Sequence, residues 1–224
     1  MIAYLLPIIA VLAGAAFVVV FKPEKQKKLR LLLAFSGAFL LSLTVFSLLP
    51  ELYHNSSARQ TGIFIIAGLL LQIFLEFFSK GAEHGHVHFH PEKEVFPWML
   101  FISLSIHSVL EGFPLHDHHT LVYGIVIHKL PVAIILSTFL MRSSLKKQYG
   151  IAFLLLFSIM TPLGTLLAEH LAFLAQYSRQ LTAIVVGIFL HISTVILFES
   201  SEGHKFNINK LIAILIGITA AYFL

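Results

Sequence analysis

Eight apolar stretches, each close to the length a lipid bilayer demands, follow one another along this chain and leave room for little else. They run over 2–21, 31–49, 62–78, 97–115, 120–140, 150–170, 181–199 and 208–224. A membrane-crossing helix takes about 20 residues, so eight consume about 160 of the 224. The pattern predicts an all-α polytopic membrane protein of eight transmembrane helices, forming a single domain over 1–224. Composition agrees: 58% of the residues are hydrophobic and only 12% are charged, about half the charge of a soluble domain. No appreciable soluble domain fits, which excludes most soluble enzyme folds. The absence of cysteine excludes disulfide frameworks, thiolate zinc sites, iron–sulfur clusters and cysteine nucleophiles together.

Loop charges orient the spans. The first stretch has no basic residue ahead of it, and its cations Lys22 and Lys25 follow it, the reverse of a secretory signal peptide. It reads as a retained span with the N-terminus outside. The cytoplasmic loops are then 22–30, 79–96, 141–149 and 200–207. With Lys210 just beyond, they hold twelve Lys and Arg residues, against Arg59 and Arg179 outside. That bias follows the positive-inside rule and puts both termini outside. The +4 net charge and pI near 9.3 therefore belong to membrane topology, and no nucleic-acid partner is expected. The lack of a targeting extension favours a plain plasma or inner membrane.

Histidine is the unusual residue, with 13 copies against 11 carboxylates. It is the commonest metal ligand among side chains. The 79–96 loop carries KGAEHGHVHFHPEKEVF, in which His84, His86, His88 and His90 alternate. Such a tract signals weak metal binding; a merely solvated loop is the alternative.

Ionisable groups inside a span are costly and mark functional candidates by default. Span four, PWMLFISLSIHSVLEGFPL, places His107 and Glu111 four residues apart, one above the other on a single helix face. An imidazole and a carboxylate at that spacing can chelate one divalent cation. A hydrogen bond that merely steadies the bundle is the plainer reading. Gly112 and Pro114 follow and should loosen or end the helix. Span five, LVYGIVIHKLPVAIILSTFLM, puts His128 and Lys129 at mid-membrane, just before Pro131. Proline removes one backbone bond and frees the carbonyl four residues earlier, here Ile127. In span six, SIMTPLGTLL, Pro162 would do the same to Ser158. Broken helices meeting near the midplane recur at transporter binding sites.

Lys129 needs a counter-charge, and Glu111 is the obvious one. The Leu115 to Thr120 connection is short enough to predict that spans four and five pack as antiparallel neighbours. Counting residues from that turn at the helical rise puts Glu111 and His128 at similar depth. His107, Glu111 and His128 are therefore expected to converge.

HSVLEG, IHKLPV and MTPLG in spans four to six resemble the ZIP (Zrt/Irt-like protein) divalent-metal transporters. LLPE at 48–51 and GIFLHIS at 187–193 are weaker echoes of the family's second and seventh spans. The resemblance implies eight spans, both termini outside, a histidine-bearing loop between spans three and four, and metal ligands on spans four and five. The family's His-Asn-x-x-Glu becomes His107, Ser108 and Glu111 here. Many members hold two metals, using acidic residues where this chain has Lys129, Val132 and Thr161. Those losses all fall on the second metal position, as in a branch with His-Lys in span five. The expected site therefore holds one metal on His107, Glu111 and His128. Water, Ser108 or a freed carbonyl would complete it, with Lys129 and Thr161 as neighbours. Two imidazoles and a carboxylate suit Zn²⁺, and also Fe²⁺, Mn²⁺, Co²⁺ or Ni²⁺, rather than Mg²⁺ or Ca²⁺.

The functional expectation is uptake of divalent transition metals, zinc above all, into the cytoplasm. The metal is then a substrate and no catalytic cofactor is needed. No G-x-x-x-x-G-K-[ST] loop supplies ATP coupling. The competing reading is an intramembrane metal-dependent lipid hydrolase or hydroxylase, with Glu111 as its base. His116, Asp117, His118 and His119 form a candidate capture cluster at the outer mouth. Glu51, His191 and Glu199 are candidate pathway residues, whereas Glu169 and His170 read as interfacial. Homodimer formation stays open at this stage.

Overall fold

The computed structural model describes residues 1–22, 26–54, 56–79, 96–115, 120–199 and 208–224, with backbone alone at 26–28 and 199. Apolar chain cannot leave backbone groups unbonded in lipid, so helices are the only open-ended solution. No strand occurs among the described residues. The helices are α1 (Ile2–Phe21), α2 (Gln26–Leu43), α3 (Ala58–Ser79) and α4 (Trp98–Gly112). After them come α5 (Leu121–Arg142), α6 (Lys147–His170), α7 (Ser178–Glu199) and α8 (Ile208–Tyr222). Seven described helices are long and apolar enough to cross a membrane, and α8, at 15 residues, is shorter. The fold is thus that of a polytopic all-α membrane protein.

Local sequence explains the irregularities. α2 continues through a π-helical turn (Thr44–Leu48) into a last short piece (Leu49–Tyr53). α4 stops at Gly112 and tightens into a 3₁₀ turn (Phe113–Leu115), as Pro114 requires. α6 breaks at Ile159 (φ −89°, ψ −7°), three residues before Pro162. Pro131 behaves differently from Pro162: α5 stays helical straight through it.

The helices pack in two groups. α3 and α8 lie on α7 and α2 in one group, while α1 lies on α5 and α4 on α6 in the other. Glycines mark the seams. A Cβ at Gly164 would fall 1.9 Å from the Val109 carbonyl oxygen, and one at Gly112 would fall 2.2 Å from that of Thr161. Gly68 and Gly187 press α3 and α7 together in the same way, against Ile184 and Ile65. All such backbone contacts lie inside one group. Between the groups, Gly124 of α5 meets the Leu40 and Leu43 methyls of α2. None of the described glycines presses against backbone of the other group.

The short 115–120 connection predicts close packing of α4 against α5. Instead their backbones hardly approach: α4 leans on α6 and α3, and α5 on α1 and α2. The glycine seams pull each helix toward a different partner, and the bulky side chains of the candidate site fill the space left between them.

Two apolar layers enclose that space. One, with Leu115, Leu121, Val122 and Ile125 beside Val186 and Phe189 of α7, lies toward the 115–120 turn. The other, with Leu100, Leu104, Leu136, Leu140, Phe153 and Phe157, lies toward the opposite face. His107, Glu111, His128 and Lys129 fall between them along both helices.

Candidate metal site

Glu111 is completely buried, and His107, His128 and Lys129 are each at most 3% exposed. A lone carboxylate in such a place costs several kcal/mol of lost hydration, and survives only when paired and hydrogen-bonded. Lys129 provides the pairing: its Nζ lies 2.6 Å from Glu111 Oε1. The ammonium also donates to Ser108 Oγ at 3.0 Å and sits 4.6 Å above the centre of the Phe157 ring. Thr161 donates its hydroxyl to the same Oε1 at 2.6 Å. The break at Ile159 starts a new helical segment at Met160, so Thr161 sits in its first turn, against α4. Thr165, one turn on, donates to the Gly112 carbonyl at 3.0 Å and fastens the seam.

One oxygen of Glu111 is therefore held from two sides, and the other is presented. Oε2 faces His107 Nε2 at 3.4 Å, and no hydrogen-bond donor is bonded to it among the described residues. Two ligands on a tetrahedral ion with bonds of about 2.1 Å stand about 3.4 Å apart. His107 and Glu111 already match that spacing while Lys129 keeps Oε1. The His107 and His128 rings are 6.4 Å apart between centroids, at 79°. Two imidazoles on one tetrahedral ion have centroids about 5 Å apart, so His128 must close by about 1 Å to join. As the side chains stand, no three His, Asp or Glu side chains among the described residues surround a single point.

Residues 80–224 match the family described as ZIP zinc transporter. The chain belongs to the ZIP zinc transporter family. It is 36% identical over 87 residues to zinc transporter ZIP1 of Danio rerio, covering 36% of this chain and 29% of that protein. It is 30% identical over 87 residues to zinc transporter ZIP1 of Takifugu rubripes, again 36% of this chain and 29% of the relative. Protein zntD of Dictyostelium discoideum is 27% identical over 150 residues, which is 57% of this chain and 22% of zntD. The matches thus span less than a third of each relative's length.

In this ZIP chain His107, Glu111 and Lys129 meet, with Ser108 and Thr161 beside them, while the His128 ring stands 6.4 Å from that of His107. Other expected residues fall elsewhere. His191 stands 2.6 Å from Glu76 of α3, on the same face of α7 as Gly187, in the α3–α7 seam. Glu51 is exposed at the end of α2. Glu169 is exposed at the end of α6, accepting a hydrogen bond from the Tyr4 hydroxyl, and His170 is exposed beside it. The tract His84, His86, His88 and His90, the cluster His116, Asp117, His118 and His119, and the Glu199 side chain lie outside the described residues. Sequence reasoning passed over Glu76 and Phe157. Glu76 had a signal, as a carboxylate inside an apolar run; Phe157, among 21 phenylalanines, had none.

Proposed function

We propose that this protein carries divalent transition-metal ions, zinc above all, into the cytoplasm through one metal site formed by His107, Glu111 and His128. The observation that carries the reading is the fully buried Glu111 carboxylate, with Oε1 gripped by Lys129 and Thr161 and Oε2 aimed at His107 at ligand spacing. Fe²⁺, Mn²⁺, Co²⁺ and Ni²⁺ share the donor preference. Apolar layers on both sides of the site favour a carrier that opens to one face at a time over a standing pore. The contact between the two helix groups, where no described glycine presses on the other group's backbone, is where such a movement meets least resistance. A sparse site with one carboxylate binds weakly enough to release its ion. The cation distribution supports both termini outside, eight crossings in a single domain, and residence in a plasma or inner membrane. Lys129 also occupies the carboxylate that a metal hydrolase needs as its base.

The test is zinc influx into liposomes that contain the purified protein and a zinc-sensitive dye. Saturable influx is expected, with loss of it in Glu111→Ala at normal expression. Normal flux in that variant would remove the proposed site. A folded wild type that moves none of the five metals would remove the carrier reading.

A further inference from the structure

The two oxygens of Glu111 offer a metal ion unequal access. Oε1 accepts hydrogen bonds from the Lys129 ammonium and the Thr161 hydroxyl, both at 2.6 Å. A carboxylate oxygen has two lone pairs, so these two donors occupy both. Neither donor is free to swing aside. The ammonium is also held by Ser108 Oγ at 3.0 Å and lies 4.6 Å from the centre of the Phe157 ring. Thr161 stands in the α4–α6 seam, its carbonyl oxygen 2.2 Å from where a Cβ on Gly112 would fall, so its backbone is pressed against α4. Oε2 carries no hydrogen bond among the described residues and faces His107 Nε2 at 3.4 Å.

Resting on the metal site proposed above, we infer that Glu111 binds its ion through Oε2 alone, and that Lys129 and Thr161 thereby select ions satisfied by one oxygen of a carboxylate. Zn²⁺ completes a four-coordinate shell in that way. Larger ions fill wider shells, and both oxygens of one carboxylate are a usual means of filling them, as Ca²⁺ sites show. Cd²⁺ shares the charge and the donor preference of Zn²⁺ but is larger, so comparing the two ions isolates the effect. To take Oε1 as well, an ion must displace the Thr161 hydroxyl. A hydrogen bond to a charged acceptor is worth at least about tenfold in binding. Thr161 is thus a specificity-determining residue that acts through Glu111 rather than as a ligand.

Equilibrium dialysis of the purified full chain against zinc and against cadmium gives the ratio of their dissociation constants. Binding to Glu111→Ala is subtracted so that this site alone is read. Thr161→Val keeps the side-chain volume and removes the hydroxyl, and it should shift the ratio toward cadmium by at least about tenfold. Thr161→Ser retains the donor and should keep the wild-type ratio. A general loosening of the site would weaken both metals together and leave the ratio unchanged. Infrared difference spectra on adding metal read the binding mode directly. A carboxylate bound through one oxygen separates its two stretching bands widely, and one bound through both draws them together. The wild type with zinc should show the wide pair, assigned by its absence in Glu111→Gln, and Thr161→Val with cadmium the narrow pair. An unchanged ratio in Thr161→Val, an equal shift in Thr161→Ser, or a narrow pair in the wild type with zinc would overturn the inference. If Thr161→Val fails to fold, the wild-type spectrum still decides. A folded wild type with no Glu111-dependent zinc binding would instead refute the metal site itself.

Discussion

Gly164→Ala puts the α4–α6 seam to a quantitative test. The added Cβ would stand 1.9 Å from the Val109 carbonyl oxygen and 2.8 Å from its carbon. An ordinary carbon–oxygen contact is about 3.3 Å, so the helices must part by roughly 1.4 Å. Thr161, three residues away on the same segment, then leaves Glu111 Oε1. Its 2.6 Å bond stretches toward about 4 Å, beyond hydrogen-bond range. Overpacking costs about 1–3 kcal/mol and loss of a bond to a charged acceptor about 1.5–3 kcal/mol; the sum is about 2.5–6 kcal/mol. Reversible unfolding in mixed micelles measures the stability, and liposome influx measures zinc transport; both should fall. Gly62→Ala is the reference, because nothing lies within 4 Å of its Cβ position, and it should be neutral or slightly stabilising. A Gly164→Ala protein as stable and as fast as the wild type would refute the seam and the positioning of Thr161 through it.

Lys129→Met should destabilise the protein by about 3–5 kcal/mol, because it leaves a buried carboxylate without its counter-charge. Adding Glu111→Gln should restore most of that stability without restoring transport, and a double variant as unstable as the single one would mean that the two residues do not act as a unit. His191→Leu removes a 2.6 Å partner from Glu76 and should lower stability by about 1–3 kcal/mol; a raised zinc half-saturation with unchanged stability would return His191 to the ion pathway. Deleting 84–90 should alter zinc half-saturation or regulation and leave the maximal rate intact, so complete inactivity would show that the tract does more than its loop position implies.

Much of this was legible before any coordinates. The i, i+4 spacing that stacks His107 on Glu111 is a property of any α-helix, and the need of a mid-span lysine for a carboxylate follows from the cost of burying charge. Pro114 and Pro162 each lie just past an interruption of the helix. Pro131 does not, since neighbouring helices and local adjustment can absorb a lost bond in a membrane helix. The packing of α4 against α5 was misjudged for a related reason. Loop length limits how far apart two helix ends lie, but glycine pairs far apart in sequence decide which faces touch.

The sequence by itself determined the helical class and which ionisable residues fall inside the apolar runs, and it set the expected sidedness of the loops. These depend on local quantities: hydropathy over about 20 residues, the count of loop cations, and helical periodicity. Only the tertiary structure decided that Glu111 divides its two oxygens between an ammonium with a hydroxyl and a histidine. The same holds for Thr161 as a donor to the carboxylate, for the pairing of His191 with Glu76, and for the gap between the α4 and α5 backbones that the site's side chains fill. Most of those facts turn on contacts between residues 18 to 115 positions apart, Lys129 with Glu111, Glu111 with Thr161 and Glu76 with His191, and no local pattern in the chain encodes them.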